Sequence, residues 1–167
     1  ETTFANAFFG PRYVEASADM GATSVNKGNS GNIYGINLIK TFERSRLSVS
    51  VSKGVVPTGK GEPLDQQQLA VAFSYQVSPR LTFDLPAQLF RNEQIRFITA
   101  GDEQRRTFFT AEPRLRWSIS EDMNLTASYR YRYQHVDDED TTTDSNAFFL
   151  SVSYIWPTEP VPQFAAP

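Results

Sequence analysis

The sequence predicts an all-β fold: eight antiparallel strands running up and down into a transmembrane β-barrel, closed at eight or forming part of a larger barrel. Three observations carry this expectation. Apolar and polar residues alternate with period two along the 167-residue chain, which sorts side chains onto the two faces of a strand and would scatter them around a helix. Most alternating runs reach about ten residues, whereas strands of soluble proteins average about five to six and a tilted bilayer-crossing strand needs about nine to eleven. Tight turns and longer loops also follow one another in strict alternation, as in barrels with short turns on one rim and long loops on the other.

The first strand is expected over 12–25, followed by a loop at 26–31 that holds Gly28 and Gly31, and the second over 32–42. A tight turn at 43–46 leads to a third strand at 47–56, where Leu47, Val49, Val51 and Val55 alternate with Ser48, Ser50, Ser52 and Gly54. After a loop at 57–65, the fourth strand (66–77) sets Leu69, Val71, Phe73, Tyr75 and Val77 against Gln68, Ala70, Ala72, Ser74 and Gln76. A turn at 78–80 joins it to the fifth strand (81–91), and a loop at 92–104 precedes the sixth (105–119). Pro86 and Pro113 lie inside these two runs; each removes a ladder donor and predicts a bulge or an early strand end. A turn at 120–122 opens the seventh strand (123–135), in which Met123, Leu125, Ala127, Tyr129, Tyr131 and Tyr133 share one face. The loop at 136–145 and a last strand at 146–156 complete the barrel. Segment 1–11, with Phe4, Phe8 and Phe9, is expected to be an extension: a strand remnant, an interfacial anchor or a plug. Segment 157–167 is a Pro-rich tail, either a floppy terminus or a docking strand for a partner. An even strand number puts both ends of the barrel on the short-turn rim.

Volume and position orient the two faces. The apolar face carries thirteen aromatics, more than the interior of an eight-stranded barrel accommodates. Phe42, Tyr75, Phe83, Trp117, Tyr154 and Trp156 fall beside the tight turns or the C-terminal strand end. Tyr34, Phe109, Tyr131, Tyr133 and Phe148 fall near the long loops, with Ile36, Leu38, Val49, Val71, Leu115 and Val152 between the two groups. Two aromatic girdles flanking an aliphatic band predict an outward face in lipid. The opposite face is expected to enclose a charge network of Glu15, Asp19, Asp84 and Glu112 with Arg114, Arg116, Arg130 and Arg132. These groups pair structurally if the barrel closes at eight strands, and line a lumen if it is wider. A soluble barrel or sandwich is the alternative; a lipocalin-like carrier would need an apolar interior and a Gly-x-Trp near the first strand, and the sequence has none.

Composition excludes several classes. With 40% hydrophobic and 21% charged residues and a net charge of −3, the chain is neither disordered nor a basic nucleic-acid binder. It has no Cys and a single His, so thiolate chemistry and multi-histidine metal sites are absent. No run approaches 18 apolar residues, the length of a membrane-crossing helix. It starts at Glu1 without Met or a basic-then-apolar leader, as expected of a mature form or a fragment.

On these runs, and on the last strand Asn146-Ala147-Phe148-Phe149-Leu150-Ser151-Val152-Ser153-Tyr154-Ile155-Trp156, the chain resembles a bacterial outer-membrane β-barrel over 12–156. In size it is similar to the small OmpA- and OmpX-like barrels. The Leu-Ser/Thr strand starts, the Ser-Tyr-Arg-Tyr-Arg stretch at 128–132 and the Asp-Ser-Asn-Ala-Phe-Phe-Leu stretch at 144–150 resemble barrels of exopolysaccharide-export and protein-sorting gene sets, which are usually longer. The resemblance implies an outer-membrane location with both termini periplasmic. It also implies contact with lipid and lipopolysaccharide and a non-catalytic role in envelope structure, export or pore formation. The tail 157–167 departs from it, since such barrels commonly stop at the aromatic, and is either a floppy terminus or a docking strand for a periplasmic or membrane protein partner. No cofactor is expected.

Enzymatic readings start from His135. A lipid A deacylase-like His-x-Ser would need Ser at position 137, which is Asp137. A phospholipase-like site needs a Ser from another strand, and an omptin-like site needs paired Asp across the rim. A rim histidine at headgroup height is the simpler expectation. The acidic stretch Asp137, Asp138, Glu139 and Asp140, with Asp144 nearby, is a weak metal candidate without the spacing of a dedicated calcium loop. Gly59-Lys60-Gly61 lacks the ending of a phosphate loop and reads as a turn.

Overall fold

A computed structural model describes residues 1–19, 24–57, 63–94, 105–137 and 140–156. The described chain is an antiparallel up-and-down sheet of nine strands: β1 Thr2–Asp19, β2 Ser24–Thr41, β3 Ser45–Pro57, β4 Pro63–Ser78, β5 Leu81–Gln94, β6 Arg105–Ala111, β7 Arg114–Ser118, β8 Met123–Val136 and β9 Thr141–Tyr154. Each pairs with the next, except that β6 and β7 are two halves of one line, both held between β5 and β8. The expected eight lines are therefore present. β1 and β9 are the two edges, and no ladder joins them among the described residues.

Register explains why the alternation reads so clearly. Leu38 faces Val49, Val49 faces Val71 and Val71 faces Ala87, so the apolar residues of successive strands stack on one side. Ser48, Ala72, Pro86 and their neighbours stack on the other. Cross-strand pairs of branched and aromatic residues are the units that stabilise such a sheet.

The polar side is concave. Asn37 on β2 and Arg116 on β7 line one cavity of about 460 Å³, together with Ser48, Ser74, Asp84 and Arg114. In a flat sheet, four strand spacings of about 4.8 Å would hold β2 and β7 about 19 Å apart. Sharing a cavity requires the sheet to curl toward its polar face. The apolar face is then convex, and among the described residues no hydrophobic side chain is buried.

Several expectations are corrected. The segment 1–11 is not an extension: β1 begins at Thr2 and pairs from Thr2–Thr41 through Pro11–Asn32. The expected loop at 26–31 is part of β2. Its glycines serve close approach rather than turning: the Tyr13 ring covers Gly28, and the Arg12 guanidinium lies against Gly31. Pro86 neither bulges nor ends its strand. Pro113 separates β6 from β7 without shifting register, since Ala87–Ala111 and Asp84–Arg114 keep the same phase. Glu112 N–H donates to Pro86 C=O at 3.0 Å and Tyr129 N–H to Pro113 C=O at 3.1 Å, which carries the ladder across the break. The one register shift lies at Gln76/Ser78, beside a tight turn.

The ladder between β2 and β3 stops at Tyr34–Lys53, whereas β1 and β2 remain paired up to Asp19–Ser24. The β1–β2 hairpin therefore projects as an arm. Its base is pinned by Asp65 on β4, whose carboxylate meets Arg12 of β1 and Lys53 of β3, each at 3.4 Å.

Candidate functional site

The concave face is the candidate site, and its charges follow from strand phase. On β7, Arg114 and Arg116 alternate with Leu115 and Trp117; on β8, Arg130 and Arg132 alternate with Tyr129, Tyr131 and Tyr133. All four arginines therefore share the polar side, with Asp84 opposite Arg114 on β5. Glu112, at the Pro113 interruption, accepts a hydrogen bond from Arg114 Nε at 2.9 Å and one from Arg130 Nε at 2.5 Å. Arg116 reaches Asp84 at 3.4 Å. The Arg130 guanidinium also lies 4.7 Å from the Phe149 ring centre on β9, a cation–π contact that holds the side chain flat. Six of the eight expected members thus share one face; Arg132 shares it without an ion-pair partner among the described residues.

Glu15 is not among them. Glu15 pairs with Gly28 and has the phase of Phe9 and Tyr13, which lie on the side of Tyr34 and Ile36. Asp19 has the same backbone phase, and its side chain lies outside the described residues. Polarity suggested the inner face for both, but β1 starts earlier than its polar stretch and its pairing with β2 fixes the phase. Three further arginines have the inward phase: Arg12, Arg46 and Arg106. Arg46 was hidden in an expected turn, although its neighbour Leu47 faces outward; Arg106 has the phase opposite to Phe109. Phase counted from the nearest outward apolar residue finds both.

The convex face bears the expected aromatics. Tyr34, Tyr75, Phe83, Phe109, Trp117, Tyr131, Tyr133, Phe148 and Tyr154 have the outward phase. Phe42 sits in the tight turn with Lys40 Nζ 4.8 Å from its ring centre. Trp156 follows β9, packs edge-on to Tyr154 at 5.5 Å and is 80% exposed. The apolar belt has an upper border on β5 and β8, whereas on β9 the outward positions Asp144 and Asn146 lie below it. One register row, Tyr34–Lys53–Gln67–Arg91–Thr107–His135–Thr142, crosses seven lines of the sheet. Below it the outward residues of β5 run from Leu89 to Leu81, and those of β8 from Tyr133 to Met123. At about 3.3 Å per residue and a tilt of about 40°, these stretches rise about 20 to 26 Å, the height of a bilayer's apolar band.

His135 lies in that border row. Its Nε2 is 3.3 Å from Asp137 Oδ1 and its Nδ1 is 3.3 Å from Thr142 Oγ1. Its ring nitrogens face a carboxylate and a threonine, and among the described residues no serine is in hydrogen-bond contact. Asp140 N–H donates to Asp137 C=O at 3.4 Å, and Asp140 adopts φ 45°. Asp138, Glu139, Gly59-Lys60-Gly61 and the tail 157–167 lie outside the described residues. Among the described residues no three acidic or histidine groups gather as a metal site, and no helix is long and apolar enough to cross a membrane. No protein-family model and no curated protein matches the chain.

Proposed function

We propose that the chain is an integral outer-membrane β-barrel with no catalytic role, serving as a structural or export-assembly component of the cell envelope. The observation that carries this reading is the direction of curl: the sheet bends toward its polar face and leaves the apolar face outside. In water a sheet of this size would bury its apolar side, because hydrophobic burial is the main favourable term in folding. Leu150 at 64% and Phe148 at 71% exposure find their solvent in acyl chains instead. Closure follows by pairing β1 with β9, whose directions are antiparallel after eight lines. The short-turn rim, with both strand ends, then faces the periplasm and the long-loop rim faces lipopolysaccharide. The tail 157–167 is available to a periplasmic partner.

The second reading, a pore alone or within a larger barrel, is favoured by the cavity on the concave face and by Arg46 and Arg132, which lack ion-pair partners among the described residues. The membrane assignment is tested by reconstituting the full chain with lipid vesicles. We expect flotation with the vesicles, resistance to carbonate extraction and a heat-dependent shift in gel mobility. A monodisperse, folded protein in detergent-free buffer would reject it.

A further inference from the structure

The sequence alone balanced four acids against four arginines on the enclosed side, but strand phase takes Glu15 off that side and adds Arg12, Arg46 and Arg106, while the Asp19 side chain lies outside the described residues. Among the described residues of β3 to β9 the concave face then carries six arginines at positions 46, 106, 114, 116, 130 and 132 with two carboxylates, Asp84 and Glu112; Arg12 has the same phase on the β1–β2 arm and meets Asp65. Arginines thus outnumber carboxylates on this face of a chain whose overall charge is −3. The acids have been partitioned to the other face and the loops.

The arginines are also ordered in height. From the turn at 119–122 upward, Arg116 and Arg114 follow one another on β7. Arg130 and Arg132 continue the series on β8, and Arg106 on β6 ends it near the opposite rim. Ten residues separate Arg116 from Arg106 along this line, about 33 Å at 3.3 Å per residue. Two recesses punctuate the series. The lower, about 460 Å³, holds Arg46, Arg114 and Arg116 with Asp84. The upper, about 280 Å³, holds Arg132 with Thr110, Gln134, Thr143, Ser145 and, at its outer side, Asp144.

We propose that the concave face is an anion path, with the Arg46–Arg114–Arg116 recess and the Arg132 recess as successive stations for a small carboxylate or phosphate solute. This rests on the membrane-barrel reading. The chemistry fits: guanidinium forks match carboxylate and phosphate geometry, and the hydroxyl and amide groups beside them complete an anion's shell. Conduction needs sites attractive enough to enter and multiple enough to leave. Arg114, Arg116 and Arg130 are partly neutralised by Glu112 and Asp84, which weakens them as traps, whereas Arg46 and Arg132 hold no ion pair among the described residues and are the ones offered to the solute.

The test is the reversal potential of the full chain in planar bilayers under a potassium chloride gradient, with insertion checked independently by vesicle flotation. The expected result is a several-fold preference for chloride over potassium. Inorganic phosphate or acetate should reduce the chloride current by competing for the stations. Arg46→Glu combined with Arg132→Glu removes charges that hold no structural pair and should abolish or invert the preference. Arg91→Glu, on the outward border row, should leave it unchanged. Inserted protein that is silent, unselective or cation-selective overturns the anion path and leaves the membrane reading standing. Protein that never floats with vesicles overturns both.

Discussion

Glu112 joins three strands through one carboxylate: it stands between β6 and β7 and accepts from Arg114 and from Arg130 on β8. Glu112→Gln would leave two guanidiniums facing a neutral amide. Because Arg114 and Arg130 are 42% and 31% exposed, solvent screens much of the loss, and we expect about 1 kcal/mol. Urea unfolding of vesicle-inserted protein measures it, and part should return in the Glu112→Gln, Arg130→Gln double variant. Gly35 sets a different constraint. It is buried beneath the Phe8 ring, which occupies the space a Cβ would need. Phe8 is 60% exposed and its ring can swing aside, so Gly35→Ala should cost about 1 kcal/mol or less, and Phe8→Ala should remove most of that penalty. Additive effects in that pair would contradict the contact.

At the scale of the element, the arm and the belt make separate predictions. Asp65 is the one carboxylate shown meeting Arg12, whose side chain is 9% exposed. Asp65→Asn should release the arm and speed hydrogen exchange of the amides from Gly28 to Ile33 several-fold, leaving those of β8 unchanged. Equal protection across both would show that the ion pair does not pin the hairpin. The belt predicts depth dependence. Val71→Arg, two rows below the border, should cost about 2–4 kcal/mol, and Gln67→Arg, in the border row, about 0–1. A soluble surface would tolerate both equally. Legibility in the sequence followed the same division. Strands β3, β4, β5 and β8 were readable because Ser, Gln or Arg alternates with Val, Leu or Tyr. β1 was not, because Phe4 and Phe8 take the inward phase while Phe9 and Tyr13 take the outward one, which erases the alternation. Gly28 and Gly31 then suggested a loop, since glycine beneath a cross-strand side chain has the same letter as glycine in a turn.

For the whole molecule, the line count, the antiparallel order and the separation of apolar from polar faces were all present in the sequence as periodicity. The charge balance of the inner face was not. It depends on which phase β1 adopts, and that phase is fixed by pairing with β2 at Phe9–Tyr34, a long-range fact that local polarity does not encode. The central claim is that the convex, ring-bearing face meets lipid tails. Trp117 samples it directly: it is 49% exposed and sits in a row with Leu81, Leu125 and Val152. In a Trp156→Phe background it is the sole tryptophan, so its fluorescence reports one position. Vesicles with brominated acyl chains should quench that emission strongly while aqueous iodide leaves it nearly untouched. Iodide quenching without any bromine effect, or insensitivity to both, would contradict the account.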